Sequence, residues 1–214
     1  MEFTLWDIVR NLLLAARWTV LLSLAGFILG GLASAGLLWV RLSRHRPLRT
    51  AAMLYIEVFQ GTPLLMQLFL VFFGLPLLGV DVQPWLAAGL GLTLASSAYL
   101  AEIWRGAVQA IAPGQWDAAA SLGLRGWQRF RFVIAPQALR IAVPPTVGFL
   151  VQLVKSTALT SIIGYSELVK TANVINNATF EPFTVYGLVA VIYFALCYPL
   201  TAAARRLERR LRIA

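Results

Sequence analysis

Residues 113–136, PGQWDAAASLGLRGWQRFRFVIAP, are bounded by a proline at each end and interrupted by Gly123 and Gly126. Proline opens helices and glycine closes them, so the stretch predicts two short helices meeting at a glycine corner. The spacing assigns Ala118, Ala119, Leu122, Trp127, Phe130 and Val133 to inner faces, with Arg125, Arg129 and Arg131 turned outward or toward lipid headgroups. Long apolar runs lie on both sides. A basic, aromatic-rich corner in such a setting suits a soluble partner at a membrane face. A plain pair of interfacial amphipathic helices fits the same pattern.

Outward from the corner, the composition limits the class. Of the 214 residues, 59% are hydrophobic and 13% charged, which reads as an integral membrane protein of one domain, residues 1–214. The net charge of +9 does not point to nucleic acid, because the basic residues fall in short clusters between apolar runs. A single cysteine, Cys197, rules out an internal disulfide. The first apolar run lacks a basic leader and a small-residue cleavage site, so no cleaved signal peptide is read.

Residues 1–16 alternate Phe3, Leu5, Trp6, Ile8, Val9, Leu12 and Leu13 with Glu2, Asp7, Arg10 and Asn11, which predicts a short amphipathic surface helix. The 23 residues from Trp18 to Val40 carry no charge and are long enough to span. Further spans are expected at about 51–78, interrupted by Glu57, and at about 85–106. Two more are expected at about 141–164, with Lys155 inside, and at about 182–204. Of the 18 Lys and Arg, 14 fall in the loop after the first span, in the region 105–140 and in the tail. The positive-inside rule makes that side cytoplasmic, so five spans place the N-terminus outside and the C-terminus inside. The fold class is therefore all-α. The polar stretch 165–181 is expected outside, as a short helix over the external mouth.

No phosphate-binding glycine loop, His-Glu-x-x-His, Cys-x-x-Cys or serine elbow occurs, and the chain has one histidine. It is equipped for neither acid–base nor metal chemistry, and reads as a non-enzyme. Any uphill transport would draw its energy from a separate subunit or an ion gradient.

Inside the spans, a start of the fourth span at Pro145 puts Lys155 about 15 Å deep, near the midplane, where a lysine is costly and marks a candidate functional site. Gln152, Ser156, Thr157 and Ser161 surround it at helical spacing, a polar stripe suited to a small zwitterion. A lysine that merely pairs with a buried glutamate is the alternative. Glu57, Glu102 and Arg105 lie near cytoplasmic span ends; Glu102 and Arg105 are one turn apart, and Glu57 could join them across helices, either as plain interfacial charge packing or to close an inner gate. Gly61-Thr62-Pro63 predicts a kink with freed carbonyls. Thr62, Gln67, Ser96, Ser97 and Tyr99 complete the polar set, each of which could equally be helix–helix contact. Trp18, Trp39, Trp85, Trp104 and Tyr186 sit where an aromatic belt is expected.

The corner resembles the loop of bacterial ABC-type import permeases, in which Glu-Ala-Ala, three residues, Gly, nine residues and Ile-x-Leu-Pro recur. Here Asp117-Ala118-Ala119, Gly123 and Val133-Ile134-Ala135-Pro136 keep the spacing, with Asp for Glu, Val for Ile and Ala for Leu. Four further stretches narrow the resemblance to permeases for polar or basic amino acids. These are Glu57 to Gln67, Ser97 to Gly106, Pro136 to Arg140 and Lys155 to Ser161. Val147-Gly148 and Ser156 depart from many relatives. The resemblance implies a coupling helix in which Gln115, Trp116, Asp117, Ala118, Ala119, Leu122, Gly123, Arg125, Arg129 and Pro136 meet an ATPase subunit. It also implies a second permease subunit, identical or paralogous, an extracytoplasmic amino-acid-binding protein, and a place in the bacterial inner membrane. This chain would hold no cofactor; ATP and Mg would sit on the partner ATPase. The rival readings are a permease for another small solute, an ion-driven carrier, and a membrane scaffold that recruits a soluble partner.

Overall fold

A computed structural model describes residues 4–43 and 45–211, and every regular element among them is helical. Glu2, Phe3, Arg44 and Arg212, used in the sequence reading, lie outside the described residues. The first helix, α1, runs Leu5–Leu42. Thr4 caps it: its hydroxyl accepts from Asp7 N at 3.2 Å, while the Asp7 carboxylate accepts from Thr4 N at 3.1 Å. The expected separate surface helix at 1–16 and the span at 18–40 are thus one continuous helix. The cause is plain in the chain. No glycine or proline stands between Leu5 and Ala25, and the Ile8–Leu12–Ala16 face packs on Leu168, Ala172, Ile175, Val185 and Val189 rather than on lipid.

Helix α2, Arg46–Gly61, stops at Thr62, which is extended because Pro63 follows. Helix α3, Leu64–Leu77, resumes at 108° to it. The expected continuous span at 51–78 is therefore a broken element, sharper than a proline kink. It closes at Gly79, whose φ of +82° permits a Schellman turn: Gly79 N donates to Pro76 O at 3.0 Å and Val80 N to Leu75 O at 3.1 Å. Helix α4, Pro84–Gln109, matches the third expected span with one extra residue at its start and three at its end.

Helix α1 lies along α4 through small residues. Gly26, Gly30 and Ser34 recur every four residues on one face, and a Cβ at Gly30 would lie 3.1 Å from Thr93 O and 3.2 Å from Ser97 N, with Ser96 Cβ closer still. With little hydrophobic drive between helices in lipid, this close backbone approach supplies the dispersion contact that holds the pair.

Helix α5, Pro113–Ser121, precedes the corner, and α6 runs Gly126–Ser161. The fourth span thus begins well before 141. A π turn at Phe130–Ile134 absorbs Pro136, and a 3₁₀ turn at Thr157–Ser161 ends the helix. Helix α7, Leu168–Thr179, forms within the polar 165–181 stretch, and α8 runs Pro182–Leu211.

Helices α1, α4, α6 and α8 are each long and apolar enough to cross a membrane, and α2 with α3 makes a fifth candidate if the bent pair counts as one. Contacts sort their ends. Trp39 meets Trp127 at 5.9 Å and Arg41 reaches Glu102, so the end of α1, the end of α4 and the corner share one end of the bundle. Arg140 of α6 and Arg205 of α8 line one groove near the same end. At the opposite end Leu168 N donates to Thr19 Oγ1 at 3.2 Å, and Gly164 lies beside Pro84.

Candidate functional site

The corner is rigid where it meets the bundle and bare where it faces away. Gly123 has φ +72° and completes a Schellman turn: Gly123 N donates to Ala120 O at 2.9 Å and Leu124 N to Ala119 O at 3.3 Å. Ala119 is buried, and Trp116, Phe130 and Val133 pack with Val108, Ile111, Ile134 and Ala138. Gln137 Nε2 ties α6 to α5 by donating to Gln115 Oε1 at 3.2 Å, and Arg125 N donates to Gln128 Oε1 at 2.9 Å.

Three residues expected on inner faces are not there. Ala118 is exposed, Leu122 is 79% exposed and Trp127 59%. A helix of nine residues has room for one inner stripe, filled here by Trp116 and Ala119, and it ends at Ser121, so Leu122 projects past the packed face, while Trp127, in the first turn of α6, meets Trp39 and Phe130 at 5.9 and 6.1 Å and leaves its other side open. Asp117, Gln115, Arg125 and Pro136 are also exposed, while Arg129 is half-buried. Exposed leucine and tryptophan beside charged neighbours form a docking-type patch.

The second feature is a cleft of about 360 Å³ where the α2–α3 break faces α4 and α6. It collects five expected residues, Thr62, Gln67, Tyr99, Gln152 and Ser156, between the apolar walls Phe59, Phe149 and Leu153. Three carbonyls at the break are answered locally by side chains. Thr62 Oγ1 donates to Val58 O at 2.7 Å, and Gln67 Nε2 donates to Phe59 O at 2.8 Å and Thr62 O at 3.1 Å. Tyr99 stacks on Phe149 with ring centroids 5.6 Å apart.

Four expected members of this path lie elsewhere. Ser97 is buried between helices, its hydroxyl donating to Leu94 O at 2.7 Å and lying 2.7 Å from Tyr55 Oη. Thr157 and Ser161 are buried and donate to Val154 O and Ala158 O, each at 2.7 Å. Lys155 leaves the cleft for a separate open groove of about 740 Å³ between α6 and α8, with Pro144, Pro145, Gly148, Thr201 and Arg205. It also lies closer to the outer end of its helix than expected, because α6 ends in the 3₁₀ turn Thr157–Ser161 instead of running on to Gly164. No glutamate pairs with it among the described residues. Helical spacing correctly joined Gln152 to Ser156, but one face of α6 had to be chosen, and the packing of α8 decides it.

The expected one-turn pair of Glu102 and Arg105 forms. Arg105 Nε donates to both Glu102 oxygens at 3.0 and 2.9 Å. Glu57 does not join; it is exposed and without an ion-pair partner among the described residues, and Arg41 of α1 takes its place 3.8 Å from Glu102. Arg41 ends the first apolar run, so its role depends on the α1–α4 approach, which charge spacing does not reveal.

Glu167, within the polar stretch expected outside, is fully buried. It caps α7, accepting from Lys170 N at 2.9 Å, and from Thr19 Oγ1 and Tyr193 Oη at 3.3 Å each. Burial pushes its carboxyl above the usual carboxylate range, against the lowering effect of these donors.

A broken helix beside a polar cleft, with an exposed corner at one end of an apolar bundle, defines a transport-type membrane subunit. The chain belongs to the family of binding-protein-dependent transport system inner membrane components, whose family model matches residues 23–213. It is 35% identical to the glutamine transport system permease protein GlnP of Escherichia coli K12, covering 98% of this chain and 96% of the relative. It is also 35% identical to HisM of Salmonella typhimurium, a histidine/lysine/arginine/ornithine transport system permease protein, over 90% of this chain and 86% of that one. Among solved structures, an amino acid ABC transporter crystallised with histidines superposes with a TM-score of 0.91 at 32% identity, covering 98% of this chain and all of that one.

Proposed function

We propose that this chain is the permease subunit of an ATP-driven importer of amino acids in a bacterial inner membrane. The observation that carries the reading is the pairing, in one bundle, of a braced and outwardly bare corner with a cleft of amino-acid dimensions at a helix break. The similarity of the whole chain to amino-acid permeases supports it.

In this reading the corner end is cytoplasmic, the C-terminus lies there and the N-terminus outside, and Leu122, Trp127 and Asp117 meet a separate ATPase that binds ATP and Mg. A second permease subunit completes the path, and an extracytoplasmic binding protein delivers cargo near α7. The corner transmits ATPase motion along α6, because α5 and α6 share the Val108–Ile134 cluster and move as one body. Movement of α6 shifts Phe149, Gln152 and Ser156, three walls of the cleft. The Glu102–Arg105–Arg41 cluster ties α1 to α4 beside the corner, where a gate would close.

The test is ATP-driven uptake of radiolabelled amino acids into vesicles that contain the permease with its ATPase, supplied with the binding protein. Uptake that requires internal ATP is expected. An assembled complex that hydrolyses ATP yet moves no amino acid would overturn the reading.

A further inference from the structure

The cleft contains one group with no assigned task. Gln67 is 6% exposed, and its carboxamide is held one way round. Nε2 donates to Phe59 O, Thr62 O and Thr62 Oγ1, at 2.8, 3.1 and 2.9 Å. Two of these are carbonyls, and the third gives its own proton to Val58 O, so all three only accept and the amide cannot be turned over. Oε1 is left on the opposite side of the amide, buried and without a hydrogen-bond partner, in a residue that lines the cleft. A buried amide oxygen without a donor is costly, and a cargo N–H would relieve it.

The other walls sharpen the requirement. None of the residues lining the cleft is charged. Glu102 is engaged by Arg105, Glu167 by its own three donors, and Glu57 is exposed on α2. A cationic side chain entering here would be desolvated with no counter-charge, which is prohibitive unless compensated. Lys155, one residue from Ser156 on α6, adds a like charge nearby. A neutral side chain meets complementary groups: the Gln67 Oε1 acceptor, the Tyr99 hydroxyl, and the Gln152 carboxamide, the last two without partners among the described residues.

We propose that the cleft selects amino acids with an uncharged carboxamide side chain and rejects cationic ones, with Gln67 Oε1 as the specificity-determining acceptor for the cargo amide N–H. This rests on the reading of the chain as an amino-acid permease. A permease site that rejects on charge would check cargo independently of the binding protein.

The experiment is equilibrium binding of radiolabelled L-glutamine, L-arginine and L-glutamate to the detergent-solubilised permease–ATPase complex without binding protein, alongside uptake in vesicles. Glutamine binding is expected at least about tenfold tighter than arginine or glutamate, the worth of about one well-made hydrogen bond or more. Tyr99→Phe, which keeps the stack on Phe149, should weaken glutamine about tenfold, and Gln152→Glu, which adds a counter-charge to the cleft wall without touching the Gln67 brace, should bring arginine binding up. Arginine or glutamate bound as tightly as glutamine would overturn the selection and leave the amino-acid reading standing. An unchanged glutamine affinity in Tyr99→Phe, or no binding of any of the three while amino-acid uptake persists, would remove the cleft as the site. Loss of uptake for every amino acid in the intact transporter would instead overturn the underlying reading.

Discussion

Replacing Gly30 with alanine probes how α1 is seated on α4. The new methyl would lie 3.1 Å from Thr93 O and 3.2 Å from Ser97 N, with Ser96 Cβ nearer still. Two of these neighbours are backbone atoms of a long helix, which cannot yield as a side-chain tip can. Carbon atoms prefer separations of about 3.5–4.0 Å, so the helices must part by several tenths of an ångström or more. Overpacking of this kind costs about 1–3 kcal/mol. Alanine also raises helix propensity over glycine by up to about 1 kcal/mol, and Gly36→Ala isolates that gain because nothing lies within 4 Å of its Cβ. The difference between the two variants therefore reads the clash alone. For a chain of this size about 1–3 kcal/mol corresponds to roughly 2–12 °C in the unfolding midpoint. The buried Cys197 is the chain's single thiol, so a thiol-reactive fluorogenic dye reports unfolding directly. Gly30→Ala should unfold several degrees below Gly36→Ala. Midpoints within about 1 °C of each other would refute the close α1–α4 approach.

At the corner, Gly123→Ala meets open space but must hold φ +72°, so it should cost about 1 kcal/mol and weaken ATPase association roughly fivefold; an unchanged affinity would mean that the corner geometry is irrelevant to docking. Glu102→Gln strips the partner from Arg105 and Arg41, and because the cluster is partly exposed the loss should be modest, about 1 kcal/mol or less in thermal stability, with Arg41→Gln giving less than that. A larger effect from Arg41→Gln would contradict the geometry of the cluster. Glu167 titrates in the opposite sense to a salt-bridged acid. Its raised folded value means that its contribution is full below the ordinary carboxylate range and is lost as pH rises through the raised value. As pH rises above the ordinary carboxylate range the wild-type midpoint should fall relative to Glu167→Gln, and parallel profiles would show that the carboxyl is not buried.

Particular residues show how far the sequence carries. The α4 and α8 spans were legible because long apolar runs opened by Pro84 and Pro182 leave few alternatives in a membrane. The fusion of residues 5–16 with the first span was not, since an amphipathic pattern says which face is apolar but not whether lipid or α7 covers it. Gly61-Thr62-Pro63 announced a kink but not a full break, since the 108° angle goes with Gln67, eight residues beyond Phe59, collecting the freed carbonyls. The corner was legible as a motif, and its bare face was not, because Leu122 looks like core until α5 is seen to end at Ser121. Glu167 offered almost no signal; a glutamate ahead of an apolar run reads as surface, and only the approach of Thr19 and Tyr193 buries it.

The central claim is that the corner couples this bundle to an ATPase, and co-purification of the ATPase subunit with Asp117→Arg and Leu122→Asp variants, scored with uptake in the same vesicles, tests it most directly. Both side chains are exposed and unneeded for packing, so the permease should reach the membrane in normal amount. The account predicts that each variant releases the ATPase and abolishes ATP-driven uptake. An ATPase that stays bound with uptake intact in both variants would contradict it.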